Sequence, residues 1–122
     1  APKMLGVQAQ ICVTDSDEIA QEQMSHFRYQ TRQARNLRSG KEQVVSGVSA
    51  PLPYDDEPEL DEIFTDRTLS GSPDTVIAKI KAYQSVADID QLNCVFQVGS
   101  MDPKLISHSM KLFAEEVAPE FR

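Results

Sequence analysis

Five residues in two short loops make the best case for chemistry: Gly71-Ser72 and Gly99-Ser100-Met101. The first pair runs into Pro73 and the second set into Asp102-Pro103, so each loop ends in the signature of a helix start, a capping Ser or Asp followed by Pro at the first helical position. At the first start, Ser72 and the unpaired backbone N–H groups can hold an anion; simple capping explains the same residues. Arg28, Arg32, Arg35 and Arg38, spaced by four, three and three residues, form a row that could hold a phosphate or an acidic partner. It could equally face water or answer the acidic run Asp55, Asp56, Glu57, Glu59, Asp61 and Glu62. That run lacks the spacing, central glycine and closing glutamate of a calcium loop and reads as a solvated loop. His26 and His108 stand alone, without a second histidine or paired carboxylate at ligand spacing, and read as structural. There is no P-loop, Gly-rich dinucleotide fingerprint, Gly-x-Ser-x-Gly elbow or Cys–His pair at motif spacing. The residues alone define no catalytic set and no metal site.

The elements that would position these loops follow from periodicity. Leu5, Val7, Ala9, Ile11 and Val13 alternate with Gly6, Gln8, Gln10 and Cys12, which predicts a strand over Leu5–Val13. Asp15 as cap with Glu18 three residues on predicts a helix start. Ile19, Ala20, Met24, Phe27, Ala34 and Leu37 give that helix a sparse apolar stripe, and Gly40 a left-handed stop. Residues 39–66, with Gly40, Gly47, Pro51, Pro53, Pro58 and the acidic run, read as a mobile acidic loop, with Leu60, Ile63 and Phe64 able to dock its end as one helical turn. A brief strand fits Arg67–Ser70. Val76, Ile77, Ile80 and Tyr83 predict a buried helix stripe ending near Val86, and Gln91–Val98 predicts a strand with Leu92, Cys94, Phe96 and Val98 on one face. Leu105, Ile106, Ser109, Met110, Phe113 and Val117 give the last helix its inner face, with Met101 stapled onto Ile106. Three strand–helix units in succession imply an α/β fold with parallel strands and right-handed crossovers.

With 122 residues the chain is long enough for one real core. The net charge of -7 argues against nucleic-acid and anionic-membrane partners. Residues 1–50 carry six Lys/Arg against five Asp/Glu, and residues 51–122 six against fourteen, so the acid sits in the second half. No apolar run approaches the roughly 18–20 residues that span a bilayer. Cys12 and Cys94 lie in apolar strand-like segments and read as buried free thiols, which points to the cytoplasm. The chain does not begin with methionine and is expected to be processed or to be a piece of something longer.

The last third carries three linked signatures: Leu69-Ser70-Gly71-Ser72-Pro73, the run Asp90 to Gly99, and Leu112-Phe113-Ala114-Glu115-Glu116-Val117-Ala118-Pro119-Glu120-Phe121-Arg122. In this order they resemble the C-terminal end of the bacterial-luciferase-like flavin monooxygenases, where a Gly-Ser/Thr-Pro helix start, a strand ending in Gly and a closing Leu-Phe-Ala-Glu-Glu-Val-x-Pro-x-Phe helix recur. The resemblance extends more weakly over Leu5–Arg38 and is absent from Ser39 to Asp66. It implies the last three strand–helix units of a (β/α)8 TIM barrel, incomplete in this chain, since a barrel takes about 250 residues. It also implies reduced FMN, or a deazaflavin in one branch of the family, used with O2 to oxidise a small organic substrate. No catalytic residue carries over, because the family's flavin-phosphate contacts and catalytic positions lie mostly upstream of the matching segment. Gly71, Ser72, Gly99, Ser100 and Met101 would then be the rim of the flavin or substrate pocket. The chain alone is expected to be inactive and to bind no flavin tightly. The alternative is a stand-alone α/β module without catalysis that uses its half-barrel edges for self-association or partner binding; in either form the exposed sheet edges and apolar faces predict self-association.

Overall fold

The computed structural model describes residues 4–122. Three parallel strands, β1 (Gly6–Val13), β4 (Leu69–Gly71) and β5 (Gln91–Val95), form one sheet, and β2 (Val44–Val45) and β3 (Val48–Ser49) form a separate antiparallel hairpin. The helices are α1 (Asp17–Glu22), α2 (Met24–Ser39), the short α3 (Leu60–Glu62), α4 (Pro73–Val86) and α5 (Pro103–Leu112). A wider π-helical turn continues α3 over Ile63–Arg67 and another continues α5 over Phe113–Val117. The α/β class and the parallel strands are as the sequence implies.

The strand order is β4–β1–β5, with the first strand in the middle. Strands wound strictly in sequence would place β4 there. The two ladders occupy different halves of β1: residues 6–10 pair with β5, from Gly6 opposite Gln91 to Gln10 opposite Val95, and residues 11–13 pair with β4, from Ile11 opposite Leu69 to Val13 opposite Gly71. Eight residues of β1 can serve both partners, and three residues of β4 cannot.

Alternation along β1 sends its side chains into two cores. Ile11 and Val13 join Leu69, Val76, Ile80 and Val117 on one face, under α4 and the closing helix. Cys12 joins Met24, Phe27, Ile63, Val98 and Met101 on the other, under α2. β5 is shorter than the pattern predicts. Its ladder ends at Val95, and Val98 turns into the second core instead of sharing the face of Leu92, Cys94 and Phe96. Alternate N–H groups of a strand point to opposite sides. The Thr14 N–H bonds the Gly71 carbonyl at 2.9 Å, so the Val13 N–H faces the side that β5 has left. The buried Ser109 hydroxyl of α5 fills that place and accepts the Val13 N–H at 2.8 Å.

The first helix departs from its sequence pattern in three ways. Ser16, not Asp15, is the cap, its hydroxyl accepting the Ile19 N–H. The helix breaks at Gln23 into α1 and α2. Leu37 is 60% exposed, and Asn36 takes the buried position. Asn36 is satisfied there because its amide pairs with both backbone groups of Leu52, accepting from N–H at 2.8 Å and donating to C=O at 3.1 Å. Gly40 does stop α2 in the left-handed conformation, φ 68°. On α5, Met110 points outward rather than into the core, at 51% exposed.

Residues 40–59 pack along α2 through specific contacts. Arg32 grips Glu57 with two hydrogen bonds of 2.7 and 2.5 Å, Arg35 stacks 5.0 Å from the Tyr54 ring centre, and the Tyr29 hydroxyl donates to Ser49 O. Arg32 and Arg35 of the arginine row therefore engage the chain's own acidic loop. Removing the Asn36 amide leaves the Leu52 N–H and C=O without their partner. Asn36→Ala is expected to cost about 1–2 kcal/mol and to speed amide exchange at Leu52; unchanged exchange there would refute the anchoring role.

Candidate functional site

The two loops that sequence singled out sit after β4 and beyond β5, and the structure treats them differently. Gly71 lies where α1, β4 and α4 converge. Its φ is +142°, and a Cβ there would stand 2.7 Å from Asp17 Oδ1 and 2.7 Å from Thr75 Cγ2. Only the missing side chain lets the Asp17 carboxylate reach the start of α4. Once there, Oδ1 accepts the Ser72 N–H at 2.8 Å and Oδ2 accepts the Thr75 hydroxyl at 3.0 Å, while the Ser72 hydroxyl caps Thr75 N. The anion seat at the α4 N-terminus is thus occupied by a carboxylate of the chain itself, fifty-five residues away in sequence.

Electrostatics around this seat follow from that contact. The Ser72 backbone N–H is the main force holding the Asp17 carboxyl below the usual aspartate range, assisted by the Thr75 and Ser72 hydroxyls and by Lys79, with burial opposing. Lys79 is half-buried. Its ammonium donates to the Ser70 carbonyl at 2.9 Å and to the Phe64 carbonyl, and lies 4.2 Å from the Phe64 ring centre. Burial lowers its pKa, against the pull of Asp17 and Asp66. Outside the seat, Asp15, Ser72, Pro73, Asp74, Leu112 and Glu116 line an open cleft of about 350 Å³. Three carboxylates on that wall and a fourth at the helix start do not fit a flavin phosphate, which would meet like charge there. His108, read from sequence as structural, meets Asp15 with Nε2 2.9 Å from Oδ1 and ties α5 to the loop after β1.

The linkage sign for Asp17 is definite. A carboxyl whose folded pKa is depressed stabilises above its unfolded value near pH 4 and loses that contribution as pH falls through the folded value. Glu57, held low chiefly by its hydrogen bonds to Arg32, adds to the same acid-side loss. In urea titrations, Asp17→Asn is expected to be less stable than the parent at pH 7 by about 1–2 kcal/mol, with the gap closing as pH falls below about 4. A gap that stays constant with pH would show that Asp17 does not act as a carboxylate.

The second loop is built on packing. Gly99 (φ +59°) passes α2 so closely that a Cβ would lie 3.4 Å from the His26 carbonyl oxygen. Met101 is 4% exposed, seated with Met24, Phe27 and Val98, and Ile106 packs against the same cluster, as the expected staple requires. Asp102 caps α5 through Lys104 N. Only Gly99 and Ser100 are open to solvent; Gly71 and Met101 are buried and Ser72 half-buried. No hydrogen bond joins the two loops among the described residues. Both thiols are free: Cys12 is buried, its pKa pushed up to about 11 by burial, and Cys94 is half-buried. The described residues hold no cluster of metal-ligating side chains and no helix long and apolar enough to cross a membrane. A second cleft, about 320 Å³ and lined mainly by Ile80, Tyr83, Leu92, Phe113 and Phe121, opens at the opposite, N-terminal end of β5.

Fold and site together define a parallel α/β unit with capped helices after its strands, the arrangement from which (β/α) enzymes are made. Solved structures give this unit a context. The chain superposes over 100% of its length on monooxygenase RslO1 from Streptomyces bottropensis, with a TM-score of 0.69 and 17% identity. Over 94% of its length it matches the oxygenating constituent of 3,6-diketocamphane monooxygenase from the CAM plasmid of Pseudomonas putida, a type II Baeyer–Villiger monooxygenase in complex with FMN, with a TM-score of 0.65 and 22% identity. The chain spans a third of the length of each. It has the fold of a segment of these enzymes, in agreement with the partial TIM-barrel architecture implied by its last third. No protein-family model and no curated protein matches the sequence.

Proposed function

We propose that this chain is the C-terminal portion of a flavin-dependent monooxygenase that uses reduced FMN and O2 to oxidise a small organic substrate. The observation that carries the reading is the superposition of the whole chain on one third of a monooxygenase; the FMN complex of the second relative favours FMN over a deazaflavin. In the intact enzyme Gly99 and Ser100 line the pocket from their exposed loop, with Gly71, Ser72 and Met101 supporting the rim from beneath. The flavin phosphate is held elsewhere, because Asp17 occupies the α4 start. Alone, the 122 residues neither bind flavin tightly nor turn over.

The test compares two proteins: the full product of the encoding reading frame and this chain. Each is supplied with photoreduced FMN, 18O2 and a panel of small organic compounds, and the organic products are analysed by mass spectrometry. Incorporation of label by the full product, and none by the chain, is the expected result. A reading frame that encodes nothing upstream of residue 1, or a full product that does not bind FMN, overturns the proposal.

One observation favours the alternative of a self-associating module. The β2–β3 hairpin is a well-formed ribbon whose turn residues Ser46 and Gly47 both have positive φ, 52° and 80°, yet Val44, Val45 and Val48 are 67%, 61% and 63% exposed. Under this second reading, light scattering finds a dimer that Val45→Lys together with Val48→Lys returns to monomer.

A further inference from the structure

Arg28 and Arg32 lie one turn apart on α2 and present the same side-on fork of Nε and Nη2. Arg32 fills its fork with the Glu57 carboxylate, Nε to Oε2 at 2.7 Å and Nη2 to Oε1 at 2.5 Å. The fork of Arg28 is half-filled. Its Nη2 donates to the Pro58 carbonyl at 3.2 Å, and Glu59 stands off at 3.6 Å with its side chain 90% exposed. The Arg28 Nε is buried with no acceptor among the described residues. A guanidinium N–H left unpaired away from water is costly, and a carboxylate is the group whose geometry matches the fork.

Ser25, Arg28, Tyr29, Arg32, Pro51 and Leu60 line a cleft of about 310 Å³ at this place. That volume is at the low end for small-molecule sites. The Tyr29 ring, Pro51 and Leu60 offer apolar surface, and Ser25 a hydroxyl. We propose that this cleft is a binding site for a small monocarboxylate with an apolar body, its carboxylate taking the Arg28 fork and displacing Glu59 from the vicinity. Binding requires a small outward shift of the Pro58–Glu59 backbone, since Nε is closed off until the ligand enters. The site lies on α2 and the acidic loop and does not rest on the flavin reading.

Benzoate and hexanoate, with benzyl alcohol and hexanol as uncharged controls, are titrated into the 122-residue chain and followed by NMR at the Arg28, Tyr29 and Leu60 resonances. The carboxylates are expected to bind saturably and the alcohols not. Arg28→Lys keeps the charge but loses the fork, and is expected to weaken binding at least tenfold. Glu59→Gln removes the competing carboxylate and is expected to tighten binding several-fold; Arg38→Gln, outside the cleft, leaves it unchanged. Circular dichroism establishes that each variant is folded. Equal affinity of Arg28→Lys and the parent overturns the proposal, as does absence of carboxylate binding by both the parent and Glu59→Gln.

Discussion

Gly71→Ala is expected to be among the most damaging single substitutions in this chain, costing about 3–5 kcal/mol. Two separate penalties meet at this position. A φ of +142° is a conformation that a side chain rarely adopts, and such strain costs on the order of 1–3 kcal/mol. The added methyl also meets Asp17 Oδ1 and the Thr75 side chain at 2.7–2.8 Å, and overpacking of that kind costs typically about 1–3 kcal/mol. Relief requires Asp17 to withdraw, which releases the Ser72 N–H and the Thr75 hydroxyl. Because domains are stable by only about 5–15 kcal/mol, the urea midpoint should fall by about a fifth or more. Gly47→Ala is the control: its φ is +80° but nothing lies within 4 Å of the new methyl, so a loss of about 1 kcal/mol is expected there. Similar midpoints for the two variants would show that the convergence at Gly71 is not tight. Combining Gly71→Ala with Asp17→Ala should recover part of the loss, because one of the two clashing partners is then gone.

Phe27→Ala is the second substitution with a large expected effect, about 3–5 kcal/mol for a fully buried phenylalanine. Phe27 is 1% exposed and is the largest side chain of the core that holds Met24, Cys12, Ile63, Val98 and Met101. Its removal leaves a cavity beneath Met101 and so frees the Gly99–Met101 loop from α2. Phe27→Leu, which retains most of the volume, should lose less than half as much. Hydrogen exchange distinguishes the two cores: amides at residues 98–101 should exchange faster in Phe27→Ala, while those of Val76 and Ile80, on the other face of the sheet, change only as global stability does. Uniform acceleration everywhere would refute the separation of the cores.

Features determined by neighbours a few residues apart were legible in the sequence. Ser72-Pro73, Asp102-Pro103 and Gly40 mark helix ends through bonds that close within three or four residues, and they stand where expected. The alternation of Ile11 and Val13 against Cys12 is equally local. Features set by distant partners were not legible. Asn36 looks like a solvent residue until Leu52 meets it, and Asp17 looks like a first-turn acid until Ser72 arrives beside it. Ser16 took the cap from Asp15, which pairs instead with His108, ninety-three residues on. For the candidate site, the loops could be located from sequence, but that Gly71 is small on account of Asp17, and that Met101 is a core residue, required the third dimension. One signal was available: an Asp in the first turn of one helix and a Gly-Ser-Pro start on another can satisfy each other.

The division of β1 between two ladders also sets when this chain can fold. Leu5 bonds to Asp90 across eighty-five residues, and among the described residues no strand partner for β1 precedes Leu69. At a synthesis rate of about 5–20 residues per second, β1 waits about 4–17 s after leaving the ribosome before β5 follows it. Until β4 follows, Ile11, Cys12 and Val13, all fully buried in the finished sheet, form an uncovered apolar strand. Among the described strands the central one is thus made before both of its partners, and nascent chains halted before residue 69 are the ones that holding chaperones should retain.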